Sequence, residues 1–262
     1  MNKPAPLNTF GKKIHAALAQ DIGSRILRGE FEPGSLLPNE AYWSSAFKIS
    51  RSAVREAMKM LIAKGLVTSR PKIGSRVEPR ERWNLLDRDV LAWYGSAPDR
   101  KQFLMSVQQM RYIFEPEAAK LAAENRTAEQ IVEIETACRE MGEASSLETR
   151  TRADVRFHLA ILRAAGNEFL VPFGFLIESG LAHVFEHTTR HIVDVRKAQS
   201  LHERIAKAIR ERKPRVAANT VKLLLANTDS VILRSFSPSR RAKVRSGEVK
   251  LPLEERGRPA RS

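Results

Sequence analysis

Between residues 100 and 235 the apolar side chains return every third or fourth position almost without interruption. In 101–123 they fall at Phe103, Leu104, Val107, Met110, Ile113 and Phe114, and similar spacing runs through 128–142, 150–165, 168–187, 193–212 and 215–235. A helix turns once every 3.6 residues, so this spacing lays one apolar stripe along each segment and leaves the opposite face polar. β-rich windows are few. Gly142, Gly166, Pro172 and Pro214 punctuate the segments, and Pro116 ends or kinks the first. Such stripes are buried by packing helices against one another, which predicts an all-α bundle of six or seven helices over 101–235.

The first 80 residues read differently. Ile14, Leu18, Ile22, Ile26 and Leu27 give 10–28 a helical stripe, and Gly29, Pro33, Gly34 and Pro38 then break it. "PNEAYWSSAFK" reads as a short helix beginning near Pro38. "ISRSAVREAMKMLIAKGL" reads as another, with Ser50 or Ser52 at its N-cap and Gly65 near its end. Two short helices joined by a tight turn at 48–50 make a helix-turn-helix. Two short β-like pieces around "RPKIG" add a wing. Val54, Met58, Leu61 and Ile62 form the inward stripe of the third helix. Arg51, Ser52 and Arg55 lie near its N-terminus, where such helices meet base edges, and a guanidinium can pair twice with guanine. The expected fold is therefore mainly α, a winged helix-turn-helix followed by an all-α bundle. The divisions are 1–80, a packed linker over 81–100 (Trp83, Leu85, Leu86, Val90, Leu91 and Trp93 are its apolar residues), 101–235, and a basic tail over 236–262 that reads as disordered.

Charge supports that division. The net charge is +15, with 14 Lys and Arg against 6 Asp and Glu in residues 1–80, and 8 against 3 in 236–262. The excess favours a polyanion as partner, and it sits outside the bundle. One cysteine, Cys138, excludes a disulfide framework within the chain and fits a reducing cytoplasm. The absence of a long apolar run or a signal-peptide core gives the expectation of a cytoplasmic protein without a membrane.

Asp154 and His158 stand four apart in "ADVRFHLA", so both leave one helix face. The spacing alone admits a catalytic pair, two metal ligands or a surface ion pair. Arg111 and Glu115 form another such pair. His183, His187 and His191, with Arg190, mark one face of a later segment.

"GEFEPGSLLPNE", "ISRSAVREAMKMLIAKGLV" and "IGSRV" resemble the winged-helix domain of GntR-type bacterial transcription regulators. By position, the resemblance places DNA contacts on Arg51, Ser52, Arg55 and the wing residue Gly74. The chain departs from the family at Ala41, where an arginine is usual, and in "YWSSAF". "RYIFEPEAAKLAAENRT", "DVRFHLAILRAAGN" and "LHERIAKAIRERKP" resemble the FCD ligand-binding domain of the FadR subfamily. Many such domains hold a divalent cation through one Asp and three His, and that cation takes a carboxylate effector. The resemblance assigns Asp154, His158 and His202 to a divalent metal site (Zn²⁺ or similar). The fourth ligand position is Leu224, so the three residues either hold a cation with open positions or hydrogen-bond the effector directly in a metal-free pocket. The resemblance also assigns Arg111 to the effector cavity. Asn227, one turn beyond Leu224 on the same helix, and His187 and Thr188 on the later histidine-bearing segment are further candidate contacts. "WNLLDRDVLAW" and the absent last histidine are similar to regulators of sugar-acid catabolism of the galactonate-repressor type. The expectation is a homodimeric repressor that binds a double-stranded DNA operator and answers a small carboxylate such as a sugar acid, with no enzyme activity. A metalloenzyme built on Asp154, His158 and His202 and an acyl-CoA-responsive regulator are the competing readings.

Overall fold

The computed structural model of the chain describes residues 14–94, 100–180 and 195–236. It begins with α1 (Ile14–Leu27), α2 (Glu40–Phe47), α3 (Arg51–Ala63), β1 (Val67–Arg70) and β2 (Gly74–Val77). Asn39 caps α2 by accepting the Tyr42 N–H, which sets the start two residues beyond Pro38. Lys48 takes a left-handed conformation (φ 55°) to turn the chain. Of the two candidate serines, Ser50 is the cap of α3, its Oγ accepting from Ala53 N. α3 closes with a pair of reversed bonds, Leu66 N–H to Leu61 O at 3.0 Å and Gly65 N–H to Ile62 O at 2.9 Å. Gly65 is required twice over there: its φ is +70°, and a Cβ would lie 2.2 Å from the Arg82 carbonyl oxygen.

Val54, Ala57, Met58 and Leu61 form the buried stripe of α3. Ile62, expected in that stripe, is 42% exposed. It follows Leu61 by about 100° of helix rotation, which carries it off the buried arc. The wing is an antiparallel hairpin pairing Val67 with Val77 and Arg70 with Gly74. Residues 34–37 add a third edge, with Gly34 N–H to Val77 O at 2.9 Å and Leu37 N–H to Ser75 O at 2.9 Å. The sequence marks that stretch only as a helix break, because it is too short and too rich in turn residues to show a strand pattern.

α4 (Arg88–Tyr94) follows a short 3₁₀ turn. Trp83, Val90, Leu91 and Trp93 are buried as expected, but Leu85 and Leu86 are 46% and 41% exposed, since they form the turn that enters α4. Val90 and Trp93 join the core of the winged unit, while Leu91 joins that of the bundle. The Trp93 ring lies on Gly23 of α1, where a Cβ would come within 2.4 Å. Lys64, at the end of α3, reaches Asp87 at 2.7 Å and Asp89 at 2.8 Å. On its other side α4 meets the bundle through Ser179 Oγ, which donates to Leu91 O at 3.3 Å, and through the Arg88–Glu178 ion pair at 2.5 Å.

The bundle comprises α5 (Arg100–Asn125), α6 (Ala128–Glu143), α7 (Leu147–Ala164), a 3₁₀ turn (Glu168–Phe173), α8 (residues 174–180), α9 (Val195–Arg210) and α10 (Pro214–Ser235). Thr127 with Gln130 and Ser146 with Thr149 cap α6 and α7 reciprocally. The second box starts α7 three residues before the apolar spacing does. α5 carries Pro116 within it rather than ending there. Its fully buried Ala118, Ala119, Ala122 and Ala123 let neighbouring helices approach closely. α5 and α9 also brace one another's C-termini. Arg126 donates to Arg210 O at 2.5 Å, and Arg212 donates to Glu124 O at 2.5 Å. No helix among the described residues is long and apolar enough to cross a membrane.

Candidate functional site

Three helices of the bundle aim charged side chains at one buried point. Asp154 and His158 come from α7, His202 from α9, and Arg111 and Glu115 from α5; all five are buried. His158 Nε2 stands 3.2 Å from Asp154 Oδ1, and His202 Nε2 stands 3.3 Å from the same oxygen. The surface ion pair that the spacing of Asp154 and His158 allowed is thereby excluded. Phe157, fully buried, packs edge-on against both imidazoles, with centroids 5.5 and 5.1 Å away, and so fixes the ring planes.

The hydrogen bonding says which atoms are free. His202 Nδ1 lies 2.8 Å from Ala198 O, so it carries the proton and donates. Its Nε2 then presents a lone pair to a carboxylate oxygen. His202 Nε2 and Asp154 Oδ1 are both buried without a hydrogen-bond partner. With a neutral His202 ring, two unpartnered acceptors face each other inside the protein, an arrangement that a cation between them satisfies. One donor atom from each of Asp154, His158 and His202 lies within 4.8 Å of the others. Neighbouring ligands of a tetrahedral Zn²⁺ with bonds of about 2.0–2.1 Å lie about 3.3 Å apart, close to the two Asp–His separations. The donor set fits a divalent cation of that class.

The same groups shape one another's ionisation. Burial disfavours charge on Asp154, but the neighbouring His202 and His158 outweigh it and hold the carboxyl well below the usual range. Burial likewise opposes charge on Glu115, and Arg111 and His158 override it, bringing its pKa down to about 2. For His158, burial acts downward while Glu115 and Asp154 push the pKa up to about 9.

The residues singled out in the sequence are distributed unevenly. Arg111 is held by Glu115 at 2.5 Å within the site, and Gln108 Nε2 beside it donates to Leu225 O at 2.9 Å. Leu224 is buried in the bundle core and supplies no ligand atom, and Asn227, one turn on, is half-buried. His187 and Thr188, like His183, Arg190 and His191, lie outside the described residues, as does the tail beyond Phe236. What sequence reasoning missed is Glu115: it belongs to the histidine cluster as well as to Arg111, with Oε2 3.0 Å from His158 Nδ1. A buried i,i+4 arginine pair signals it only once packing is known.

In the winged unit, Arg51, Ser52 and Arg55 are all exposed at the N-terminal end of α3, and Gly74 is exposed at the wing with φ +98°. Arg55 Nε bonds both oxygens of Glu40, at 3.0 and 3.1 Å. Ser52 Oγ lies 2.9 Å from Ser50 Oγ.

Comparison with known proteins agrees with this arrangement. Residues 14–77 match the gntR family of bacterial regulatory proteins, and residues 106–227 match the FCD domain. The HTH-type transcriptional regulator YieP of Escherichia coli is 36% identical over 221 residues, covering 83% of this chain and 95% of that protein. The galactonate operon transcriptional repressor of the same species is 35% identical over 168 residues, covering 64% of this chain and 73% of its own. Among solved structures, Lar, which controls expression of the Listeria monocytogenes agr system, has a TM-score of 0.61 at 22% identity, over 87% of this chain and 99% of that one. These relatives are regulators, and the competing metalloenzyme reading finds no support among them. The chain belongs to the gntR family of bacterial transcription regulators and carries an FCD domain.

Proposed function

We propose that this regulator represses a carbohydrate-acid catabolic operon and is relieved by a small carboxylate, such as a sugar acid, bound in the helical unit. The observation that carries the proposal is the convergence of Asp154 Oδ1, His158 Nε2 and His202 Nε2 in the bundle, two of them without partners. In this reading those three residues hold a divalent cation, Zn²⁺ or similar. Imidazole donors suit that class of metal. When bound, the cation supplies a positive centre for the effector carboxylate. With Leu224 in place of a fourth ligand, the protein gives three donors and leaves the remaining positions to effector or water. Asn227, His187 and Thr188 are proposed contacts for hydroxyl groups, and Arg111 a charged neighbour of the carboxylate. The similarity to the galactonate operon repressor supports the effector class.

DNA recognition is assigned to the winged unit, residues 1–80. Arg51, Ser52 and Arg55 enter the major groove, and Gly74 lets the wing backbone approach phosphate. A homodimer sets two such units on two half-sites. Residues 81–100 link this unit to the effector domain over 101–235, and the basic tail over 236–262 adds sequence-independent phosphate contact. Coupling requires that the effector bind the DNA-competent and DNA-released states with different affinities. α4, packed into both cores, is placed to transmit that difference.

The test is a thermal-shift screen of sugar acids and dicarboxylates with Zn²⁺ and with chelator, followed by release of the protein's own promoter fragment. A bound ligand at about 100 times its Kd adds roughly 2.7 kcal/mol of stability. Stabilisation that needs both acid and cation, with operator release by the same acid, is expected. Acid binding that survives complete removal of metal overturns the cation-held effector. Failure to bind the promoter at low salt overturns the regulator of that operon.

A further inference from the structure

The two histidines of the cluster are built on one plan with one difference. Each turns Nε2 inward on Asp154 Oδ1 and Nδ1 outward on an oxygen. For His202 the outer oxygen is the neutral carbonyl of Ala198, within its own helix. For His158 it is the carboxylate of Glu115, at 3.0 Å, brought in from α5. Glu115 is 3% exposed, and its other oxygen takes Arg111 Nε at 2.5 Å. One buried carboxylate therefore spans an imidazole and a guanidinium, and Arg111 extends the chain through Gln108 (3.4 Å) to the Leu225 carbonyl of α10.

We propose that Glu115 is the positioning residue of this site. By accepting the Nδ1–H of His158 it leaves Nε2 as the donor that faces a divalent cation, and its negative charge makes that nitrogen a stronger donor. Outer carboxylates that fix a ligand histidine's ring and tautomer act in this way. The same carboxylate engages Arg111, so a carboxylate effector meets a guanidinium already paired, and the cation becomes the principal anion receptor. This inference rests on reading Asp154, His158 and His202 as cation ligands. The alternative is that Glu115 serves only to neutralise Arg111. That role predicts a loss of stability on substitution but no change at the metal or at the His158 ring.

The experiment uses the full chain, Zn²⁺ alone as probe, and histidine-labelled protein for NMR. In the Zn²⁺-loaded wild type, His158 is expected to show a slowly exchanging Nδ1–H, further downfield than that of His202 because its acceptor is charged. That measurement needs no variant. Glu115→Gln is expected to weaken Zn²⁺ by about 10- to 100-fold in chelator competition and to move the His158 Nδ1–H upfield, with the helical circular dichroism unchanged. Zn²⁺ affinity unchanged in Glu115→Gln overturns the role of Glu115 while leaving the cation site standing. A His158 ring whose Nε2 carries the proton in loaded wild type removes His158 from the ligand set and overturns the role of Glu115 with it. A wild type that takes up no Zn²⁺ fails differently: the cation reading falls first and the positioning role with it.

Discussion

Arg55 and Glu40 meet on the winged unit with both side chains largely in water, at 64% and 42% exposure, whereas Arg111 and Glu115 meet inside the bundle at 3% and 4%. The chemistry of the two pairs is the same and their energetics are not. In water each ion keeps much of its hydration, and salt screens what remains of the attraction, so an exposed pair contributes at most about 1 kcal/mol. A pair this exposed is easily exchanged for another anion, which suits the DNA contact proposed for Arg55. Inside the bundle the ions have lost their water, and apolar residues of the same size would do as well or better for stability alone. A buried charged pair embedded in a histidine cluster therefore needs a reason other than stability, whereas an exposed one at the start of α3 is held by little.

The comparison can be broken at several points. Arg111→Met leaves Glu115 buried with only His158 beside it, and about 3–5 kcal/mol of unfolding free energy should be lost in urea melts. A loss below 1 kcal/mol would mean that the buried pair is not what sets the two regions apart. Asp154→Ala removes the oxygen shared by both histidines. Zn²⁺ affinity by calorimetry should fall by more than the roughly 100-fold upper range seen for outer partners of ligands. Arg55→Ala should weaken operator binding by about 1–3 kcal/mol in gel-shift titrations, with base preference relaxed at one position. The same variant should melt within about 0.5 kcal/mol of wild type. Glu40→Ala should be the mildest, with a stability change under about 1 kcal/mol, and should free Arg55 to bind DNA somewhat better at low salt.

These two regions were also unequally legible in the sequence. Helix-turn-helix and wing are written in local signals: Ser50 among two candidate caps, Gly65 as a stop, and short strands around Pro71 and Lys72, while the Asn39 cap came only with the structure. Errors there were of register, as with Ile62, or of pairing too brief to show a period, as with the single bridge of Leu36 to Arg76. The bundle's helices were nearly as plain, except where a capping box rather than an apolar stripe set the start of α7, and at 168–173, read as helix but folded as a 3₁₀ turn ahead of α8. Asp154 and His158 shared a face by spacing alone, and the family resemblance supplied His202. The contact between Glu115 and His158 was not legible, because it depends on how α5 and α7 rotate against each other. Nothing in "FEPEAA" distinguishes a glutamate that faces an imidazole from one that faces solvent. Leu85 and Leu86 failed for the converse reason: they are apolar in sequence, but the turn into α4 leaves them half outside.

The division of α4 between two cores bears on how the chain comes apart. A polypeptide cut after residue 80 would leave the cleft over Gly23 without the Trp93 ring and Lys64 without Asp87 and Asp89. One begun at residue 100 would strip Leu91 from the bundle. Neither half carries its full complement of contacts, so heating should melt them in a single concerted event, and a stabilising effector in one half should be felt as added heat resistance in the other.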